Sequence, residues 1–285
     1  MLVDAKTIQI YLPGGQPRGV RIAEITTRIL QVVVSPRTQL ESVFTRPEIR
    51  FPAIYFLVGE LEDQAKPVVY IGQTEDLVTR LRNHDSKKEF WKSVAFAISK
   101  THSFTQTHLR FLEWYCIARA KDAGRFHLVN GNEGSEPYTP EPMKADLLDS
   151  FETMGILLSA LGFPLFEPLV QPPTPGRPQE IVYCRGPAAN GRGELVDDGF
   201  VVFKGSLARE EVAPSAQKTL IGIRQQLTEA GIVTADGESL RFVEDYLFDT
   251  PSGASSFVLG RSSNGWTEWK NESGARLSDL KRTGI

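Results

Sequence analysis

The run Ala53-Ile54-Tyr55-Phe56-Leu57-Val58 is followed, after the largely polar interval 59–67, by Val68-Val69-Tyr70-Ile71-Gly72. Both runs are rich in β-branched and aromatic residues, so each is expected to be a strand, and the interval between them makes the pair a hairpin with a longer loop. Pairing brings the phenols of Tyr55 and Tyr70 close together. An isolated strand tyrosine ordinarily packs a core, so the residues that accompany the pair carry the weight.

Downstream, Thr74 is expected to cap a helix over about 75–84, with Glu75 and Asp76 against the positive end of its dipole. Arg80 and His84, four apart, share a face beside the apolar stripe of Leu77 and Leu81. Asp76 precedes Arg80 by four, so a surface ion pair is one reading of that arginine and phosphate contact the other. Arg82 is the alternative cation, on a different face. A second helix is expected over 107–121, where Leu109, Cys116, Ile117 and Ala120 lie at helical spacing from Glu113 and put its carboxylate on a mostly apolar face. Burying an unpaired charge costs on the order of several kcal/mol, so Glu113 calls for a cation, a metal or a function; a structural ion pair with Arg80 would also meet the need. Asn130 sits in Leu128-Val129-Asn130-Gly131-Asn132, where turn residues are also common.

The order and spacing of Ala53-Ile54-Tyr55, Tyr70-Ile71-Gly72, Arg80, His84, Glu113 and Asn130 resemble the GIY-YIG nuclease family. The resemblance implies a small mixed sheet flanked by helices and a catalytic set of Tyr55, Tyr70, Arg80, His84, Glu113 and Asn130. In that set Tyr55 is the general base, assisted by a hydrogen bond or proton relay through His84, while Tyr70 orients water or phosphate. Arg80 stabilises the transition-state charge, Glu113 holds one magnesium ion, for which manganese can substitute, and Asn130 or the nearby Asn132 braces the site. A single carboxylate suffices for magnesium if waters and substrate phosphates complete its shell. Ala53 departs from the family's glycine; within an apolar strand the extra methyl is expected to be tolerated, whereas a position of positive φ would be distorted by it.

The fold class expected is α/β (α+β), organised as an N-terminal β segment (1–50), the GIY-YIG-like domain (51–165), a Pro-rich linker (166–180) and a C-terminal accessory α+β domain (181–285). Thr7 to Tyr11, Val20 to Ala23 and Gln31 to Val34 are strand candidates for a meander. Residues 171–178 hold four prolines and a glycine and deny both helix and sheet. In the last region a glycine-rich loop is expected around Asn190 to Gly199, a strand from Gly199, a helix over about 215–230 closed by Gly231, a short helix from Pro251, and tight turns at Asn264-Gly265 and 271–274. Phe200 to Ser206, Ser252 to Ser255 and Asn264 to Lys270 look like a small domain of unknown function often found after GIY-YIG domains. On a strand Trp266 and Trp269 would point to opposite faces, so at most one could stack on a base; core packing of both is the plainer expectation.

With 285 residues, 41% hydrophobic and 24% charged, the chain is long enough for two domains. Its net charge of −3 excludes a general basic coat for nucleic acid. One segment is locally basic: Arg80, Arg82, Lys87, Lys88, Lys92 and Lys100 face only Asp85 and Glu89 in sequence. An ordinary solvated helix face would look the same, but Arg80, Arg82, Lys87 and Lys88 are the candidate DNA contacts. Cys116 and Cys184 show no ligand spacing and are expected to be reduced thiols. No signal peptide or membrane span is evident, and the apolar stretch 155–166 is about half the roughly 20 residues a span requires; a cytoplasmic location is expected. The function expected is a metal-dependent endonuclease hydrolysing DNA, duplex or single-stranded, by single-metal chemistry in restriction, phage defence or repair. A homodimer or a defence or repair protein are the other partners considered. The alternative is an inactive or restrained nucleic-acid-binding or protein-interaction module.

Overall fold

Alternating apolar residues near the N-terminus form a meander of three strands, β1 (Gln9–Tyr11), β2 (Arg21–Glu24) and β3 (Leu30–Pro36). A short helix α1 (Leu40–Phe44) follows, then the hairpin strands β4 (Ala53–Gly59) and β5 (Val68–Thr74), helix α2 (Leu77–Lys87), strand β6 (Trp91–Ser99), helix α3 (Gln106–Ala123), the two-residue β7 (His127–Leu128) and helix α4 (Glu141–Ala160). The structure is a computed structural model that describes residues 5–131, 134–172, 179–214 and 218–282. Among these residues the chain is mixed α+β, with two sheets and eight α-helices. It divides into two units, Met1–Leu61 with Lys66–Glu167, and Glu62–Ala65 with Pro168–Ile285.

The first unit has one seven-stranded sheet in the order β1-β2-β3-β6-β4-β5-β7. The N-terminal meander joins the hairpin through β6: β3 pairs with it from Leu30↔Ser99 to Pro36↔Ser93, and β4 pairs on its other side, Tyr55 opposite Phe96. Every residue of β4 is buried, which explains its unbroken apolar run, since a central strand covered on both faces has no solvent side on which to place polar residues. Ile54, Phe56 and Val58 pack with the apolar residues of α3 and α4. Ala53, Tyr55 and Leu57 face the other way, toward Leu77 and Leu81 of α2.

Helix α2 begins two residues later than its sequence suggests. Asp76, not Thr74, is the cap: its carboxylate accepts from the Thr79 N–H at 3.0 Å, while the Thr74 hydroxyl accepts from Asp76 N–H. Asp76 thereby spends its carboxylate on the helix start, and no ion pair with Arg80 forms among the described residues. The far end of α2 is held by Arg37. Its guanidinium bonds the Asp85 carboxylate at 2.6 Å and the carbonyls of Asp85 and Lys88 at 2.7 and 3.1 Å, and lies 4.7 Å over the Trp91 ring. Helix α3 is capped by Thr105 and His108 and ends at Gly124, whose φ of 65° is left-handed. The apolar stretch 155–166 completes α4 and the turn after it, with Leu157, Leu158, Leu161 and Leu165 buried in the core. Among the described residues no helix is long and apolar enough to cross a membrane.

The second unit comprises β8 (Val182–Gly186), β9 (Ala189–Val196), β10 (Gly199–Val202), β11 (Leu207–Arg209), α5 (Lys218–Glu229), β12 (Val233–Asp236), β13 (Ser239–Phe242), β14 (Tyr246–Phe248), α6 (Pro251–Leu259), α7 (Gly265–Glu268) and α8 (Leu277–Arg282). Its sheet runs β12-β13-β11-β9-β10-β14, with β8 paired to β9. The expected glycine-rich loop is largely a strand: β9 carries its glycines inward, and a Cβ at Gly191 would lie 3.0 Å from the Trp269 ring and 3.1 Å from Val258. Close approach of a helix and an indole, not loop flexibility, therefore accounts for that glycine. Asn264-Gly265 is likewise no hairpin turn. Asn264 caps α7, accepting from the Trp266 N–H at 3.1 Å, so Trp266 and Trp269 lie on a helical turn and its end. Trp269 is core, donating its indole N–H to the Pro251 carbonyl at 3.0 Å, while Trp266 is 41% exposed. The turn at 271–274 forms as expected, Gly274 N–H to Asn271 carbonyl at 3.0 Å. The prolines of 173–178, the expected helix start at Ser215 and Asn132 lie outside the described residues.

Candidate active site

The parallel strand β7 covers β5 only at Val68 and Val69, so the β5 edge beyond them carries backbone groups with no strand partner. Side chains take that role. The Asn130 carboxamide accepts from the Ile71 N–H at 3.0 Å and donates to the Ile71 carbonyl at 2.7 Å, acting as one more rung of sheet. The next outward N–H, that of Gln73, donates to the Glu113 carboxylate at 3.1 Å. Buried or part-buried backbone donors require partners, and this requirement brings Asn130 and the α3 carboxylate to the strand that carries Tyr70.

On the α2 face, the Tyr55 hydroxyl lies 2.9 Å from His84 Nε2 and accepts from Arg80 Nε at 2.8 Å. The Arg80 Nη2 donates to the Tyr70 hydroxyl at 3.3 Å. The two phenol rings are 6.1 Å apart, and the imidazole is 5.6 Å from the first and 5.1 Å from the second. Gly72 makes this possible. It pairs with Tyr55 across the hairpin, and a Cβ there would fall 2.5 Å from the Tyr55 hydroxyl oxygen. Ala53 is a buried residue of β4 and is not among the positions of positive φ, so its methyl is accommodated without backbone strain.

Tyr55 and His84 are buried. Burial raises the Tyr55 pKa, with the Arg80 hydrogen bond opposing, so the phenol keeps its proton at neutral pH. The same desolvation, followed by the charges of Arg80 and Lys88, pushes His84 down to about 4 and leaves it neutral. In the tautomer with its proton on Nδ1, His84 Nε2 accepts the Tyr55 O–H while the phenol oxygen accepts from Arg80. The unfolded chain would bind a proton on this histidine near 6.5. As pH falls from 6.5 to about 4, the unfolded state gains a proton that the folded state refuses, and stability is lost over that window by about 3 kcal/mol. Thermal melts at pH 7 and 4.5 should show this fall reduced in His84→Gln; an equal fall in both proteins would place the proton uptake elsewhere.

Burial also raises the Glu113 carboxyl, offset by the Gln73 N–H and the Arg80 charge. Arg80 is near enough to act on Glu113 electrostatically, yet no ion pair within 4.0 Å joins them among the described residues, so the pairing considered from sequence does not form. Of the basic segment, Lys92 is paired with Glu60 and Lys100 with Glu24 at 3.3 Å. Arg82 lies 5.1 Å over the Phe44 ring, and Lys87 is exposed. Lys88 places its ammonium 4.0 Å over the Tyr70 ring. Arg80 and Lys88 thus contact the two tyrosines, and among the described residues Arg82 and Lys87 make no such contact. Cys116 and Cys184 are buried and unbridged, and burial drives both thiols upward, Cys184 to about 12. Among the described residues no group of three or more His, Cys, Asp or Glu side chains could hold a metal.

Two contributors were not singled out from sequence. Gly72 closes the Tyr70-Ile71-Gly72 tripeptide, and its place opposite Tyr55 in the hairpin is the sequence signal for its steric role. The Gln73 N–H had no sequence signal, because backbone donors look alike in every residue but proline.

Residues 182–281 match a family described as a domain of unknown function (DUF4357). These residues span the second unit from β8 into α8. Comparison with curated proteins and with solved structures returns no match.

Proposed function

We propose that the first unit hydrolyses DNA phosphodiester bonds as a metal-dependent endonuclease of the GIY-YIG type. The observation that carries this reading is the Tyr55 hydroxyl held between a cation, Arg80 Nε, and a neutral imidazole, His84 Nε2. A phenol with a raised pKa is a poor base unless its own proton has somewhere to go. Here the attacking water bonds phosphorus and passes its proton to the Tyr55 oxygen. The phenol proton moves to His84 Nε2, and the P–O3′ bond breaks. Arg80, exposed above both phenols, stabilises the charge developing on the phosphoryl oxygens, and Tyr70, fixed by the Arg80 Nη2, orients water or phosphate.

Glu113 suits a hard divalent cation. It is a carboxylate raised by burial, bound by one backbone N–H and free of an ion pair within 4.0 Å among the described residues. Magnesium keeps several waters and needs one or two carboxylates plus substrate phosphates. Glu113 would hold magnesium, or manganese in its place, and the bound ion would stabilise the leaving 3′ oxygen. Asn130 keeps the β5 edge in register, so that Tyr70 and Gln73 stay where substrate and carboxylate need them.

Supercoiled plasmid, linear duplex and single-stranded DNA incubated with magnesium or manganese test the reading. Cutting by the wild type is expected, lower by about 10²–10³-fold in Glu113→Ala purified identically. A well-folded wild type that cuts none of these overturns the proposal in favour of a binding module, and equal cutting by both proteins removes Glu113 from the site. Restriction, phage defence and repair are the settings in which such a nuclease, alone, as a homodimer or with a partner protein, would act.

A further inference from the structure

Lys88 follows the last residue of α2, and its backbone N–H donates to the His84 carbonyl at 2.9 Å. One residue therefore closes the helix beneath His84 and, through its side chain, sets a charge 4.0 Å over the Tyr70 ring, itself 5.1 Å from the imidazole. Arg37 makes that placement rigid by bonding the carbonyls of Asp85 and Lys88. No carboxylate within 4.0 Å pairs with Lys88 among the described residues, and burial and the Arg80 charge both lower its pKa. A part-buried ammonium without a counter-ion is costly to hold beside a second cation, which calls for an anion that arrives later.

Resting on the nuclease reading of the site, we propose that Lys88 is a positioning residue whose charge, with that of Arg80, adds to burial in keeping His84 unprotonated while the site is empty, and that a phosphate group neutralising the two cations eases proton acceptance by His84. A proton on His84 in the empty site would be a third positive charge in one cluster. A phosphodiester seated against Arg80 and Lys88 removes that repulsion and leaves only burial to oppose the proton, so acceptance becomes easier with substrate present. The groups that face His84 are Tyr55 from β4, Tyr70 from β5, Arg80 from its own helix and Lys88 just past the end of that helix. Around them, Asp85 is taken by Arg37, Glu48 of the 47–50 turn by Arg46, and Arg50 is exposed.

The test follows the His84 imidazole by NMR against pH in metal-free buffer, with His84→Gln identifying its signal and inorganic phosphate as the probe. The midpoint is expected to rise in Lys88→Met and to stay at the wild-type value in Lys88→Arg. Phosphate should raise it in the wild type and move it less in Lys88→Met. In the cleavage assay Lys88→Met should lose about tenfold in kcat/KM, below the 10²–10⁴ that a proton-transfer group supplies, with Lys88→Arg recovering most of it. An unchanged midpoint in Lys88→Met, or no response of the wild type to phosphate, overturns the role of Lys88. A wild type that titrates as expected but never cuts DNA overturns the nuclease reading and leaves the charge coupling standing.

Discussion

Tyr55→Phe is expected to lower the single-turnover rate of DNA cleavage by about 10²–10⁴-fold, the range lost when a proton-transfer group is removed. The ring is retained, so the core beneath α2 keeps its packing, but the oxygen that joins Arg80 Nε to His84 Nε2 is gone. Arg80 is exposed and regains water. His84 is 6% exposed and does not, so its nitrogen is left unpartnered at a cost of about 1–3 kcal/mol. The melting temperature should therefore fall while magnesium affinity, measured by calorimetry, stays that of the wild type. A rate within threefold of wild type would remove Tyr55 from the chemistry and transfer the base role to another group.

Gly72→Ala should damage the same hydroxyl without touching it. The added methyl carbon would lie 2.5 Å from the Tyr55 oxygen and 2.6 Å from Cζ, closer than non-bonded atoms approach. Tyr55 is fully buried and β4 is paired on both sides, so ring and strand have little room to yield. Overpacking of this kind costs about 1–3 kcal/mol, and the displaced phenol loses the 2.8 and 2.9 Å contacts that define its role. Activity is expected to drop by about 10²-fold or more, and the double variant with Tyr55→Phe should cut no more slowly than Tyr55→Phe alone, because both changes remove one interaction. Wild-type melting and cutting by Gly72→Ala would mean that the ring relaxes freely and that this glycine has no steric duty.

The hairpin, the helical face of Arg80 and His84, and the apolar setting of Glu113 were all readable from residue type and spacing. These properties depend on neighbours within a few positions: β-branched and aromatic runs favour strands, and residues four apart share a helix face. The errors were also local in kind. Thr74 and Asp76 are both good caps, and which one starts α2 depends on where the β5 ladder ends. Gly191 of β9 reads as a loop residue because the indole and helix that require it, Trp269 and Val258, lie more than sixty residues further along the chain. Trp266 and Trp269 read as strand residues because the Asn264 cap that turns them into a helix resembles a hairpin signal.

Sequence alone was enough to establish the strands of the tyrosine hairpin, the helix of Arg80 and His84, the isolation of Glu113 on an apolar face and the separation of a C-terminal domain. The meeting of those parts came from long-range pairing. Tyr55 opposes Gly72 only in the observed register, and a slip of one residue would turn the phenol to the other side of the sheet. Arg80 chooses two phenols over Asp76 because the cap has already claimed that carboxylate. Glu113 and Asn130 reach β5 because β7 stops after two residues and leaves edge groups that must be bonded. Hydrogen-bond partners and steric clearances are relations between segments distant in sequence, and packing, not propensity, brings those segments together.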